Sequence, residues 1–259
     1  MIVYKYLPPT RTDVLSDGRI RFTQATALND PFESNPIREP LFKSLVERQK
    51  QILDSSGEQF SGMDLLEIRV HIGKHARRAV RDIIEDTRNT KGILSLSLNR
   101  SELLMWSHYC DSHRGFVVGF YGLHDYFQKG IPDKRGGLRP VEYFQARPVL
   151  PPDEEFSTQN IANILLFSKS DHWKYEQEMR MLHNVKYADE KLEKLDPGGY
   201  PIYLFEFPTE TIMEVILGCQ MPKPKREEIT ALVKEKYPSA KLYQAEMSKT
   251  DFDLVIEEI

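Results

Sequence analysis

Two cysteines, Cys110 and Cys219, are all the thiols in 259 residues. At most one bridge can join them, so neither a disulfide framework nor a cysteine-based zinc site organises this chain. No apolar run approaches membrane-spanning length, and no basic segment followed by an apolar one opens the sequence. The expectation is a cytoplasmic protein with no membrane contact. An excess of positive charge is missing too. The 35 basic residues face 39 acidic ones, a formal net charge of −4, which leaves local basic patches as the only electrostatic route to nucleic acid. Gly-x-Ser-x-Gly, P-loop and Gly-x-Gly-x-x-Gly motifs are absent, so phosphate-cradling loops of those kinds have no support. His71 and His75 lie four apart on a predicted helix, but HIGKH lacks the intervening glutamate and a third ligand, and no metal is expected.

What is present is a chain with 40% hydrophobic and 29% charged residues, enough for one large domain with an ample core. Strands are predicted at 2–7, 93–100, 115–122, 141–144, 203–208, 212–218, 241–247 and 251–258. Glycine stops a short helix at Gly18, with Thr12 and Asp13 as its caps, and a strand IRFT follows. Helices are expected at 39–54, 63–88, 157–170 and 225–238, and one opening at Ser101 as N-cap. In 63–88 the stripe Leu65, Ile68, Ile72, Ala76, Ala79, Ile83 recurs at helical spacing, and Arg77, Arg78, Arg81 and Arg88 decorate its solvated face. The Gly/Pro/Lys/Arg-rich segment 129–140 is expected to be a mobile loop. Irregular alternation with hairpin-like neighbours near the C-terminus favours an α+β fold with a mixed or antiparallel sheet. The whole chain, 1–259, is read as a single domain with a helical insertion at about 39–90.

The stretch WKYEQEMRML (173–182) carries the sharpest chemical signal. Read as a strand, it points Glu176, Glu178 and Arg180 to one side and Tyr175, Gln177, Met179 and Met181 to the other. Two carboxylates on one face repel unless a cation compensates. As an acid pair, one can stabilise a positive, oxocarbenium-like centre while the other orients a nucleophile, the division of labour needed at a sugar C1. As a surface strand, Lys174 and Arg180 would simply balance the charge. Ser95 and Ser97 alternate with Leu94, Leu96 and Leu98, giving either a solvent-facing polar edge or two hydroxyls that bond a ribose or steady a carboxylate. MWSHYCDSH (105–113) gathers Trp106, His108, Tyr109 and His113, a density of rings typical of a core. A Cys110 nucleophile has nothing specific in its favour.

The ordered set Tyr4-Lys5-Tyr6, LNDPFE (28–33), LSLS (94–97), MWSHY (105–109), GFVVGF (115–120), WKYEQEMR (173–180) and ILG (216–218) resembles the bacterial domain of unknown function 2971 family over nearly the whole chain. That name carries little function. A second resemblance does carry one. ADP-ribosyltransferases open with an aromatic or His-bearing strand, carry a Ser-x-Ser-like strand in the middle and close the site with a Glu-x-Glu strand. This resemblance implies a split mixed or antiparallel sheet with flanking helices and NAD as substrate. It makes Glu178 the catalytic carboxylate and Glu176 the acceptor-side one. Tyr4, Lys5 and Tyr6 would hold the dinucleotide, and Ser95 and Ser97 would contact ribose or brace Glu178. Trp106 and Tyr109 would stack on nicotinamide or support that wall, with Asn29 and Asp30 edging the cleft. The acceptor would be a macromolecule, protein or nucleic acid, with the chain acting as a toxin or anti-phage effector beside an antitoxin or defence partner. The family's first-strand His or Arg is replaced here by Lys5, which lacks a bidentate fork, and Arg180 can neutralise Glu178. Both departures fit a non-catalytic nucleotide- or protein-binding module instead. An RNA-directed nuclease is the third reading, resting on the arginines of 77–88, the loop DKRGGLR (133–139) and on His108 and His113.

Overall fold

A computed structural model describes residues 1–55, 62–132, 134–152 and 157–259. In chain order the elements are β1 (Ile2–Leu7), α1 (Asp13–Asp17), β2 (Arg19–Arg21), β3 (Thr23–Gln24), α2 (Glu39–Ser55), α3 (Gly62–Thr90), β4 (Lys91–Ser97), α4 (Leu103–Tyr109), β5 (Phe116–Tyr121), α5 (Asp125–Gln128) and β6 (Arg139–Pro140). They continue with β7 (Glu142–Phe144), α6 (Thr158–Phe167), β8 (Ser168–Ser170), β9 (Glu178–Asn184), β10 (Glu190–Leu195), β11 (Pro201–Glu206), β12 (Ile212–Leu217), α7 (Lys223–Lys236), β13 (Lys241–Met247) and β14 (Leu254–Glu258). The fold is α+β with mixed strand pairing, as expected. The chain forms two compact units, one of residues 1–23, 92–141 and 173–259, the other of 24–91 and 142–172.

The first unit is built on a sheet in the order β14-β13-β12-β5-β1-β4-β9-β6. The parallel pair of β12 with β13 needs a crossover, and α7 provides it, burying Ile229 and Val233. One sheet face carries Val3, Leu7, Leu94, Leu96, Val118, Val215 and Met181 into a core with Phe22, Phe116, Phe205 and the α7 residues. The other face carries Tyr4, Tyr6, Val117, Ile216 and Ala245 against Met105, Trp106 and Cys110 of α4. Alternation along each strand explains the division. A small antiparallel sheet, β10-β11-β2, completes the unit. β10 (EKLEKL) alternates too weakly to read as a strand in sequence, and β14 begins only at Leu254, three residues after the predicted start.

Turns fix how α4 leaves and re-enters the sheet. Its N-cap is Glu102, whose Oε1 accepts the Leu104 amide at 3.4 Å, not Ser101. After it, Asp111, Ser112 and His113 all hold positive φ, at 47°, 54° and 65°. Gly115 follows because a Cβ there would lie 2.0 Å from the Leu7 carbonyl oxygen. At α1, Thr12 stands at the N-cap but its side chain caps nothing, and Gly18 closes the helix at φ 65°. The 129–140 segment is stitched to β9 rather than standing apart: Gly136 N–H donates to Leu182, and Asn184 N–H donates to the Lys134 carbonyl. Residue 133 of that segment lies outside the described residues.

In the second unit α2 and α3 pack together, and β7 pairs in parallel with β8. α3 buries Val80 and Ile84 while Ile83 is 39% exposed, so the apolar stripe sits one position on from the predicted Ala79 and Ile83. The side chains of Leu65, Ile68 and Ile72 lie outside the described residues. Arg78 pairs with Asp82 at 3.7 Å, both exposed, and Arg77 lies over the Phe42 ring, whereas Arg88 is half-buried with its Nε shielded from solvent. α6 is capped by Ser157, whose Oγ accepts the Asn160 amide at 3.1 Å.

Candidate functional site

The WKYEQE stretch is not a strand. Residues Asp171–Glu176 wind as a 3-10 helix, Gln177 takes φ 44°, and β9 begins at Glu178. The left-handed residue breaks the alternation that placed Glu176, Glu178 and Arg180 on one strand face. Both acids nonetheless stay within electrostatic reach of Lys5. Glu176, Glu178 and Arg180 are 2%, 4% and 1% exposed, a depth that charged groups reach only when paired and bonded.

Arg180 forks onto Glu178, Nε to Oε1 at 2.7 Å and Nη2 to Oε2 at 3.0 Å. This bidentate geometry is the strongest form of such a pair. Glu176 has a different partner: the Tyr109 phenol donates to its Oε1 at 2.7 Å. α4 thereby holds the carboxylate of Glu176, while β9 holds that of Glu178.

Ser97 supplies the link to the sheet. Its Oγ donates to the Glu176 backbone carbonyl at 2.7 Å and accepts the Asn99 amide at 2.9 Å. The hydroxyl thus braces the acid's main chain, not its carboxylate. The polar edge is closed rather than solvent-facing, since Ser97 is 0% exposed. Ser95 acts through its carbonyl, which accepts the Lys5 ammonium at 3.0 Å.

β1 pairs with β5 at six positions but meets β4 at one register pair, Tyr4 with Ser97. The sheet therefore opens between β1 and β4 beyond that pair, and the Lys5 ammonium spans the opening to Ser95. Burial lowers Lys5 to about 8, and the Glu178 carboxylate opposes that shift. Alternation sets Lys5 on the opposite face from Tyr4 and Tyr6, so the three do not line one surface as expected. Tyr4 and Tyr6 are core residues: the Tyr6 phenol donates to the Asn99 carbonyl, and its ring meets the edge of Trp106. Trp106 is 0% exposed and donates from Nε1 to the Arg100 carbonyl at 3.0 Å. It supports the wall from behind and cannot stack on a ligand.

Asn29 and Asp30 lie in the second unit, where the Asp30 carboxylate accepts the Phe32 amide at 2.9 Å and shapes the turn. His108 is exposed with its ring near Trp173, whereas His113 stacks on Trp106. The two imidazoles serve different surroundings. Among the described residues no group of three or more His, Cys, Asp or Glu is arranged to hold a metal ion.

Two buried charged clusters escaped the sequence reading. In the first unit, Glu214 of β12 is 4% exposed and meets Arg100 Nη1 at 3.2 Å. Burial and Glu214 together push Tyr4 up to about 12. Glu214, Gly119, Tyr4 and Ser97 occupy one row across four strands. A Cβ on Gly119 would come within 2.7 Å of Glu214 Cγ, so the glycine makes room for the acid. In the second unit, Lys169 Nζ and Glu33 Oε2 lie 3.9 Å apart, both side chains almost fully buried. The sequence signal for the first was the lone glycine inside β5, which marks close approach within a strand.

Residues 105–181 match a family model described as a protein of unknown function, DUF2971. The matched segment runs from α4 to β9, so it contains Tyr109, Glu176, Glu178 and Arg180 together. No curated protein and no solved structure matches the chain, and the ADP-ribosyltransferase resemblance finds no support in these comparisons. No helix among the described residues is long and apolar enough to cross a membrane.

Proposed function

We propose that this protein binds a dinucleotide of the NAD type and transfers ADP-ribose to a macromolecular acceptor, in the manner of a bacterial toxin or anti-phage effector. The observation that carries the reading is the convergence of two buried carboxylates beside the single pair that joins β1 to β4. An opening between strands, edged by an ammonium and backed by acids, offers what glycosyl transfer needs. Lys5 can meet a pyrophosphate as a point charge, and a fixed carboxylate can stabilise positive charge developing at C1 of the ribose as nicotinamide leaves. The geometry changes the division of roles. Both Glu178 oxygens are engaged by Arg180, which makes that pair the rigid backing. Glu176, which accepts the Tyr109 phenol from α4, is the carboxylate assigned to the reacting ribose.

The test is purified protein with NAD labelled in the adenylate half, beside Glu176→Gln. Nicotinamide release and label transfer by the wild type, lost in the variant while NAD still binds, are the expected results. Absence of both NAD binding and turnover in the wild type would overturn the proposal.

A second reading, a nucleotide-binding module without turnover, draws on the same Arg180–Glu178 fork, because a carboxylate neutralised at full burial is a poor stabiliser of a new cation. NAD binding with no nicotinamide release would favour it.

A further inference from the structure

On the far end of β9 from the acids, four residues assemble a feature that the transfer reading does not use. Arg135 is 9% exposed, and among the described residues no carboxylate lies within ion-pairing distance of its guanidinium. Its Nη1 donates to the Tyr126 carbonyl and to Met181 Sδ, and the group lies 4.5 Å from the Tyr126 ring centroid. Buried guanidinium groups normally have an acid partner, because desolvating the charge is costly. Above it, two lysines converge on one ring. Lys134 Nζ lies 5.2 Å and Lys186 Nζ 4.8 Å from the Tyr187 centroid. All three groups are exposed, Tyr187 to 37%.

The arrangement is built by the backbone. Asn184 N–H donates to the Lys134 carbonyl at 2.8 Å, Arg135 bridges His183, and the Asn184 side chain accepts the Lys186 amide at 3.1 Å. These bonds tie the 134–138 loop to the turn after β9 and bring both lysines to the same tyrosine. Among the described residues Asp189 is a nearby acid, and its Oδ2 accepts the Glu206 amide at 2.7 Å. The His183 ring packs below against Phe205 at 4.2 Å.

We propose that Lys134, Arg135, Lys186 and Tyr187 form a docking site for single-stranded nucleic acid. The lysines would swing off the Tyr187 ring to meet successive phosphates, Arg135 would add a fixed positive charge nearby, and the ring face they vacate would take a stacked base. Basic groups interleaved with an exposed ring are the recognition chemistry of unpaired strands. An acidic protein segment would use the cations but has no need of the ring. The chain's overall negative charge leaves the patch as a local attraction and not a general one. The inference does not depend on ADP-ribose transfer.

The experiment is fluorescence anisotropy of labelled single-stranded RNA and DNA of roughly 12 nucleotides, titrated with the intact protein across a salt series. The wild type should bind, with affinity falling as salt rises. The double variant Lys134→Ala, Lys186→Ala should bind at least about tenfold more weakly and lose roughly 1.4 from the magnitude of the log–log salt slope, about 0.7 per lost phosphate contact. Tyr187→Ala should weaken binding roughly five- to a hundredfold with the salt slope kept. All three side chains are exposed, and unchanged circular dichroism confirms the fold. No binding by the wild type at low salt would overturn the proposal, as would lysine variants that bind like the wild type. So would polyglutamate competing as well as the oligonucleotide with Tyr187→Ala silent, an outcome that assigns the patch to acidic proteins.

Discussion

Replacing Lys5 with methionine should stabilise the protein near neutral pH and flatten part of its pH dependence. Lys5 sits on the apolar face with Val3 and Leu7, and burial brings it from 10.5 to about 8. A pKa lowered in the folded state means that the unfolded chain binds the proton more tightly between those values. Stability therefore rises with pH across the window from about 8 to 10.5. The depression of 2.5 units, 10.5 less 8, corresponds to about 3 kcal/mol of penalty at pH 7 at 1.36 kcal/mol per unit. By pH 9.5 roughly 2 kcal/mol of it should be relieved. Lys5→Met removes the charge but strands the Ser95 carbonyl, which costs about 1–3 kcal/mol in return. At pH 7 the variant should thus range from equally stable to about 2 kcal/mol more stable. The discriminating quantity is the difference between the two proteins. Urea unfolding at pH 7, 8, 9 and 9.5 should show the wild type gaining about 2 kcal/mol on Lys5→Met over that range. The comparison cancels other titrating groups, including Tyr4, whose raised value acts above pH 10. A difference that stays constant with pH would refute the burial of a strained ammonium at Lys5.

Other substitutions test the remaining geometry. Glu178→Gln replaces the anion that Arg180 grips through two buried bonds and should cost about 3–5 kcal/mol in denaturant unfolding; a loss under about 1 kcal/mol would show that the fork is not a structural anchor. Ser97→Ala removes the bonds to Glu176 and Asn99 and should cost about 1–3 kcal/mol, read as a lower urea midpoint. Gly119→Ala forces a Cβ against Glu214 and should lower stability by roughly 1–3 kcal/mol, with Gly119→Ala, Glu214→Ala recovering part of it. Gln177→Gly relieves a left-handed non-glycine residue and should change stability by less than about 1 kcal/mol in either direction, while nicotinamide release by the proposed activity persists if the turn geometry is what matters.

Strands that form short apolar runs were legible in the sequence. β1, β5 and β12 came out close to their observed bounds because each buries both faces and is bounded by glycine or proline. The acid cluster was legible as chemistry but not as geometry. The residues between Trp173 and Arg180 alternate as a strand would, yet the chain spends Gln177 on a left-handed turn. Beside the local bond from the Gln177 amide to the Lys174 carbonyl, two tertiary contacts, the Leu98 amide on the Gln177 carbonyl and Ser97 on Glu176, fix that conformation. Local propensity cannot reveal a turn imposed from another strand. For the same reason Lys5, Tyr4 and Tyr6 read as a trio: adjacent in sequence, they are split by the pleat between two cores. Glu214 and Arg100, 114 residues apart, left no local trace beyond the glycine that accommodates them.

The lone rung between Tyr4 and Ser97 divides the large sheet into two plates, β14 to β1 on one side and β4 to β6 on the other. One backbone rung and the side-chain bonds Lys5–Ser95, Tyr6–Asn99 and Arg100–Glu214 join the plates, which leaves more freedom to twist than a full ladder would. A ligand lodged at the seam would act as a clasp, so its affinity would carry the entropy of stilling that twist. Amide exchange along Lys5–Leu7 and Ile93–Leu96 would slow on binding even where no ligand atom touches the backbone.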